Sequence, residues 1–515
     1  MTNNFSSEDL ALILKNLYIR MNCKEHSMKH LLIFLFGGIF FLTSCNQAPA
    51  PGIEFPENPN FLLFFIDDLR PELGCYGHSQ IHSPHIDQLA EGGLRFDKAY
   101  CNVPVCGASR ASLMTGARPT PQRFLTYYTR ADEDLPTQTT LPEFFKEKGY
   151  QTVSLGKIFH HGNDSQDSWS QPPWHAEPSR VSSWRDYITD AIVENFSSED
   201  HEEPSTERAI DAHDTAYIDG KTATKAIRML RQFSEKKEPF MLWVGFVKPH
   251  LPFNAPSRYW DLYDRDSIKL ATYPFQPKNA PDQAMHNSGE LRGYTDIPAE
   301  GPVSDEKAAE LIHGYYACVS YTDALVGQVL EELKHLELDK NTIVALFGDH
   351  GWNLGEHGLW CKHCNFNTSL QVPLIIRIPG QENTKKQSIA GSTEGLVEFV
   401  DLYPTFVDLA GFEVPEYLSG KSLLPLIENP GMDWKDPVFA RYGRGNSIIG
   451  KDEIYTEYIR SLKDTSVIAK MMYDHRSDPD ETHNIVEEEA YHEKVHQMSL
   501  AMKKLYKSIP PNSSE

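Results

Sequence analysis

Apolar residues in this chain gather into short continuous runs, and several of the runs end abruptly in charged groups. Phe61 to Asp68, "FLLFFIDD", has no polar position before its two terminal carboxylates. Unbroken apolarity over so few residues marks a strand covered on both faces, as in a parallel sheet, rather than a half-exposed one. The same form recurs in "GYQTVSLGK", "PFMLWVGFVKPH", "NTIVALFGDHG" and "VPLIIRIPG". Between these runs the spacing turns helical. "TLPEFFKEKG" is amphipathic, with Gly149 placed to close it. Asp305 to Leu338 carries apolar residues at helical spacing, which predicts one long helix packed on the sheet. Helices alternating with buried strands predict an α/β fold with a doubly wound, large central mostly parallel sheet flanked by helices. After about Pro430 the strands shorten and charge rises, ending in the amphipathic "AYHEKVHQMSLAMKKLYKSI". A main domain over 59–430 and a smaller C-terminal α+β subdomain over 431–515 are therefore expected. Residues 160–240, rich in Ser, Asp, Glu and Trp, read as long surface loops.

The N-terminal pattern is of another kind. From Met28 a short basic start leads into an apolar run, Leu31 to Leu42, and then Thr43-Ser44-Cys45. That run is shorter than the roughly 18 residues of a spanning helix, and 28–45 resembles a bacterial lipoprotein signal with Cys45 as the lipidated residue. Residues 1–27 then read as an over-long start, and 46–58, rich in Pro and Asn, as a tether. Asn46 directly after Cys45 points to the outer membrane, on its periplasmic or surface face, with a lipid anchor joining chain to membrane.

Charge narrows the partners. The 515 residues include 49 Lys and Arg against 72 Asp and Glu, a net charge of −23. Such a chain repels polyanions, which argues against nucleic acid, and an anionic substrate must meet a local cationic pocket. The 40% hydrophobic and 11% aromatic content belongs to a folded chain. Of eight cysteines, six lie beyond the leader and its lipid site. In an exported protein these are disulfide candidates, Cys75 with Cys101 and Cys361 with Cys364 among them, although spacing alone assigns no partners. Cys361-Lys-His-Cys364 lacks the second pair that a zinc site needs.

The polar groups that end the apolar runs are Asp67 and Asp68, Lys157 and His160, Lys248 and His250, and Asp349 and His350. Strands of one parallel sheet share a carboxyl edge, so these groups can converge on a single cleft. Three carboxylates with a neighbouring imidazole make a hard-cation site, and lysines around it would neutralise an anionic ester. Two other stretches carry no such chemistry. "DPDETH" lacks the glycine and closing glutamate of a calcium loop and reads as a turn. "HSPHID" reads as the proline start of a helix with His85 exposed.

"CGASRASLMTG", Cys106 to Gly116, resembles the signature of type I sulfatases, in which the cysteine is oxidised to Cα-formylglycine. "IDDLRPELGCYG", "SLGKIFH", "GFVKPHLPF", "GDHGWNLGEHGLWCK" and "YDHRSDPDETHNI" are similar to sulfatase segments in sulfatase order, and their wording is most similar to iduronate-2-sulfatases. The resemblance implies an alkaline phosphatase-like sulfatase fold and a sulfuric ester hydrolase acting on a sulfated glycan, with 2-O-sulfate of a uronic acid as the point of attack. It implies that Cys106 is the modified residue, that Asp67, Asp68, Asp349 and His350 bind Ca2+ together with residue 106, and that Arg110 and Lys157 steady the nucleophile and the sulfate charge. His160 would be the base that releases sulfate, and His250 and Lys362 would hold sulfate and protonate the leaving oxygen. A formylglycine-generating maturase is implied as a partner, and Ala108, where the commonest signature has Pro, points to a radical-type maturase. An aldehyde hydrate can attack sulfur with one hydroxyl and expel sulfate through the other, which a serine cannot do. Two alternatives share these residues: a formylglycine-dependent phosphonate or phosphodiester hydrolase, and a non-catalytic glycan-binding lipoprotein.

Overall fold

The computed structural model describes residues 55–181, 184–196, 202–379, 390–434 and 437–509. The leader, Cys45 and most of the tether lie outside the described residues. Strand β1 (Asn60–Ile66) is buried at all seven positions. Its side chains alternate between two covered faces, which is why no polar residue interrupts it. Leu62, Phe64 and Ile66 join the core beneath two helices, Ile218–Glu235 and Asp305–His335. Phe61, on the opposite face, meets Phe145 at 5.1 Å and Phe406 at 5.8 Å between ring centroids. Fully burying each such side chain contributes about 1.5–3 kcal/mol.

β1 is flanked by two parallel strands, and the full sheet has seven. The others are β2 (Leu94–Phe96), β3 (Gln151–Gly156), β4 (Phe240–Phe246), β5 (Thr342–Gly348), β6 (Leu374–Arg377) and β7 (Gly391–Thr393). Their order is β7-β2-β6-β5-β1-β4-β3. β1, β3, β4 and β5 are parallel neighbours, so four strand ends lie side by side along one edge. The "VPLIIRIPG" run departs from the pattern, because β6 is antiparallel to β5.

Seven of the helices among the described residues frame the two sheets. They are α1 (Pro84–Glu91), α2 (Cys106–Thr115), α3 (Leu141–Glu147), α4 (Ile218–Glu235), α5 (Asp305–His335), α6 (Leu402–Leu409) and α7 (His492–Ser508). A capping box of Thr140 and Glu143 starts α3, and Gly149 (φ 90) follows its last turn. The predicted long helix is α5, unbroken over 31 residues and capped by Ser304, which accepts from the Lys307 N–H. Two expectations need correction. The stretch 160–240 is not all loop: it holds the 18 residues of α4, whose buried Ala223, Ala226, Leu230 and Phe233 form a narrow stripe diluted by polar positions. His85 is half-buried rather than exposed, because α1 packs it against Gly327 of α5.

A four-stranded antiparallel meander, β8 (Val438–Tyr442), β9 (Gly445–Ile449), β10 (Glu453–Ile459) and β11 (Val467–Asp474), forms the C-terminal sheet. Helix α7 covers it through Met498 and Met502, which join Ile448, Tyr455 and Met472 in a small separate core. Among the described residues no helix is long and apolar enough to cross a membrane.

Candidate active site

The parallel ladder does not stop at the strand ends; it hands its register to the polar residues beyond them. The Asp349 N–H donates to the Ile66 carbonyl at 3.1 Å and the Asp67 N–H to the Phe246 carbonyl at 3.1 Å. Asp68 takes a left-handed backbone (φ 58) and donates its N–H to Asp349 Oδ1 at 3.0 Å. Tyr315, from α5, donates its hydroxyl to the Asp68 carbonyl at 2.9 Å and so fixes the turn from below. Three carboxylates are thereby brought together in a fully buried layer.

Helix α2 closes the layer with Cys106 as its first residue. The Cys106 Sγ is 3.2 Å from His350 Nε2. Ser109 donates to the Asp349 carbonyl at 2.5 Å, and Arg110 reaches Asp349 Oδ2 at 3.0 Å and Asp67 Oδ1 at 3.1 Å. Arg110 has no exposed surface; its guanidinium lies 4.2 Å from the Phe65 ring centroid and donates to the Ile158 carbonyl at 2.9 Å. Gly107 is needed here, since a Cβ would lie 2.4 Å from the Tyr127 carbonyl oxygen. Gly116, with φ 64, ends the helix after ten residues.

Two flanks complete the site. After β3, Lys157 pairs with Asp67, and His160 stands beside it with Nδ1 buried and with no hydrogen-bond partner among the described residues. On the other flank Lys362 Nζ contacts both Asp68 oxygens at 3.0 Å and Glu290 Oε1 at 2.7 Å. Lys362 is presented by a tight loop in which both neighbours, Cys361 (φ 68) and His363 (φ 78), take left-handed backbone. His250 Nε2 faces Glu290 Oε1 at 3.2 Å while its Nδ1 faces the Leu251 carbonyl at 2.6 Å.

Burial opposes every charge in this layer, and the pairing decides which survive. Against burial, Lys157, His250 and Arg110 hold the Asp67 carboxyl well below the usual range. Burial pushes Asp68 well above it, and the pull of Lys362 does not overcome burial joined by Asp67 and Cys106. Burial and Asp67 push the Cys106 thiol up to about 12. Burial and Lys157 push His160 down to about 2, so its imidazole is neutral. Despite burial, Lys362 and His250 hold Glu290 well below the carboxylate range.

The donor set fits a divalent cation. Ligand atoms of Asp67, Cys106, Asp349 and His350, and of Asp67, Asp68, Cys106 and His250, lie within 4.8 Å of one another. Asp68, a carboxylate that burial and like charge drive toward protonation, is one that a cation would hold ionised. Oxygen-rich donor sets of this kind suit hard divalent cations.

A cavity of about 910 Å³ opens above this layer. Of the residues expected at the site, Cys106, Lys157, His160, His250 and Lys362 line it, and Asp67, Asp68, Arg110, Asp349 and His350 lie beneath. Lys248 does not join them: its Nζ is turned back onto the His250 and Pro252 carbonyls at 3.1 and 2.5 Å and braces the loop that carries His250. Trp184, Arg185, Glu290, Tyr294 and His363 also line the cavity and come from segments with no strand-end or helical pattern. Glu290 is the most consequential of these, and only proximity to Lys362 and His250 in space reveals it.

The disulfide pairings are not formed. Cys75, Cys101, Cys106, Cys318, Cys361 and Cys364 are all unbridged. Cys101 Sγ points to the Ser369 carbonyl at 3.7 Å and Cys364 Sγ lies 3.0 Å from Ser369 Oγ. Asn353 donates to the Cys361 carbonyl at 2.8 Å and to Cys364 Sγ at 3.6 Å, so an amide braces the Lys362 loop in place of a disulfide.

A carboxylate-rich cation site at the carboxyl edge of a mostly parallel sheet, with a helix-start cysteine over it, defines a hydrolase of the alkaline phosphatase-like fold. Residues 59–412 match the sulfatase family, and 355–508 match the family described as N-sulphoglucosamine sulphohydrolase, C-terminal. The chain belongs to the sulfatase family, enzymes that hydrolyse sulfuric esters. It is 35% identical over 403 residues to the iduronate 2-sulfatase of Mus musculus, covering 72% of each chain. Among solved structures it matches a protein in complex with its substrate D-glucosamine-2-N,6-O-disulfate at TM-score 0.69 and 22% identity, over 90% of this chain and 100% of that one. It matches the phosphonate monoester hydrolase of Agrobacterium radiobacter at TM-score 0.69 and 21% identity, over 88% and 96%. At these identities the structural matches establish the fold.

Proposed function

We propose that the protein is an exported, lipid-anchored sulfatase that removes O-sulfate from a sulfated glycan, with the 2-O-sulfate of a uronic acid as its target. The observation that carries this reading is the convergence on Cys106 of a cation site below and two cationic flanks beside it, inside a cavity large enough for a sugar unit. The likeness to iduronate 2-sulfatase supports the choice of sugar. Asp67, Asp68, Asp349 and His350 would hold Ca2+ beside residue 106, and oxidation of Cys106 to formylglycine by a maturase would give that residue the nucleophilic oxygen and the means of sulfate release.

The rest is done by the chain. Arg110 keeps Asp67 and Asp349 in register by pairing with both, and offsets one of their two charges. Lys157 and Lys362 stand on opposite sides of residue 106 and take the charge of the sulfate oxygens. His160, neutral and lining the cavity, is the candidate base, and an anionic sulfate beside it and Lys157 would raise its proton affinity from the low value that burial and Lys157 impose. Both ring nitrogens of His250 face acceptors, a pattern that only the doubly protonated ring satisfies in full, and in that form Nε2 carries the proton that faces the cavity side. Burial and Lys362 lower its proton affinity, so that proton is readily passed to the leaving oxygen.

The test is peptide mass analysis of residue 106 in protein matured in a bacterial host, joined to sulfate release from defined oligosaccharides of heparan, dermatan and ulvan type. Formylglycine at 106 with release from 2-O-sulfated uronic acid supports the reading, as does loss of release after exhaustive chelation and its recovery with Ca2+. Unmodified Cys106 with no release would favour a glycan-binding role. Faster turnover of phosphonate or phosphate diesters than of sulfate esters would favour the phosphonate hydrolase alternative.

A further inference from the structure

Glu290 is a carboxylate placed among the groups that have to bind an anion. Its Oε1 occupies the space between Lys362 Nζ, at 2.7 Å, and His250 Nε2, at 3.2 Å. Its Oε2 is buried with no hydrogen-bond partner among the described residues, 4.0 Å from His363 Nδ1. The side chain lines the cavity and retains 22% of its exposure, so a bound ester meets it directly.

The charges that touch one another around residue 106 are the carboxylates Asp67, Asp68, Asp349 and Glu290 and the cations Arg110, Lys157 and Lys362. Leaving the imidazoles aside, the chain supplies one more negative charge than positive. A divalent cation reverses this to a single net positive charge, the complement of a sulfate monoester, which carries one negative charge. Without Glu290 the surplus would be two, the complement of a dianion.

We propose that Glu290 sets the charge selectivity of the cavity. Acting on the group seated over residue 106, it admits ester groups with one charge on the reacting centre and disfavours those with two, among them phosphate monoesters above their second pKa of about 6 and the inorganic sulfate produced by each turnover; a carboxylate elsewhere on the sugar is not counted in this balance. Glu290 therefore acts at two stages, against dianionic competitors on binding and in favour of product release. The selection is by charge and not by the central atom, so monoanionic phosphonate esters are not excluded by it. The inference rests on the sulfate-ester reading above for its substrate, while its binding arm needs no turnover.

The experiment uses the matured, calcium-loaded protein and its Glu290→Gln and Glu290→Asp variants. At about pH 8, where phosphate monoesters are dianions, kcat/KM is measured for 4-nitrophenyl sulfate and 4-nitrophenyl phosphate, and Kd for inorganic sulfate by calorimetry. In Glu290→Gln the phosphate-to-sulfate ratio should rise about tenfold and inorganic sulfate should bind about tenfold tighter, the scale of one charge across a partly solvated cavity. Glu290→Asp should keep the wild-type ratio. A purely structural role would lower both turnovers together and leave the ratio unmoved. An unchanged ratio and an unchanged sulfate Kd in Glu290→Gln overturn the proposal, as does Glu290→Asp shifting both as far as Gln. Should the Gln protein not fold, Glu290→Ala carries the same expectation. Tighter sulfate binding in the variant of a protein that hydrolyses neither ester would sink the hydrolase reading and leave this inference standing.

Discussion

The floor of the cavity and its rim are held by different forces. On the floor, Asp67, Asp349 and Arg110 have no exposed surface, and the guanidinium meets each carboxylate at about 3 Å (3.1 and 3.0 Å). Their positions are inherited from β1, β5 and α2, so backbone hydrogen bonds and side-chain charges fix the same geometry. On the rim, Trp184, Glu290 and Tyr294 come from connecting segments, and Trp184 is 48% exposed. Its indole stands edge-on to His250 at 5.1 Å and lies under the Arg185 guanidinium at 4.9 Å. Moving a floor group strands a buried charge; moving Trp184 or Tyr294 costs some packing, and among the three rim groups named Glu290 alone is tied to the floor by an ion pair, through Lys362. Reaction chemistry is thus placed where displacement is expensive, and discrimination between substrates where the chain can change cheaply.

The comparison can be broken most directly at Cys106. Cys106→Ala should abolish sulfate release by the matured enzyme while the melting temperature stays within about 4 °C, since one buried sulfur is lost and no charge is stranded. Retained turnover would remove residue 106 from the reaction. Arg110→Met tests the floor's electrostatics. It should cost about 3–5 kcal/mol in a denaturant titration, because Asp67 and Asp349 both lose their guanidinium partner inside the protein. A cost below about 1 kcal/mol, the scale of an exposed pair, would show that the floor is no more rigid than the rim.

A third test concerns the buried network just beyond the floor, where Arg70 pairs with Glu72 at 2.7 Å and with Glu356 at 2.8 Å. Against burial, Arg70 and His78 hold Glu72 at about 2, below its ordinary 4.5. A depressed folded pKa contributes stability that is present above about 4.5 and lost as pH falls toward about 2. Glu72→Gln should therefore flatten the acid limb of a stability curve between those values, by about 3 kcal/mol at most. An unchanged limb would mean that the pair forms equally in the unfolded chain. The smallest effect is expected on the rim: Trp184→Ala should raise KM about fivefold, near 1 kcal/mol of ring contact, with kcat and melting temperature unmoved.

The legibility of the site follows the same division. Asp67, Asp68, Asp349 and His350 could be found because each ends an apolar run, and a parallel sheet lines such ends up. Arg110 was legible through its place beside Cys106 in the motif, although nothing in the pattern said that it would bridge two carboxylates beneath the cavity. Lys248 satisfied the same strand-end rule and was misleading, since backbone carbonyls capture its ammonium. Glu290 left no trace in the pattern: it lies in a connection between β4 and α5 and acquires its meaning from Lys362, 72 residues away.

By itself the sequence determined the alternation of buried strands and helices, the length of α5, the strand-end carboxylates and the cysteine that faces them. These depend on local periodicity and on a sheet edge that many residues define together. The tertiary structure alone decided the reversed direction of β6, the unbridged cysteines, the helix within 160–240 and the loops that wall the cavity. Each of these turns on which distant segments meet, and contact between distant segments is set by packing and charge in three dimensions, which no local pattern of hydrophobic and polar residues records.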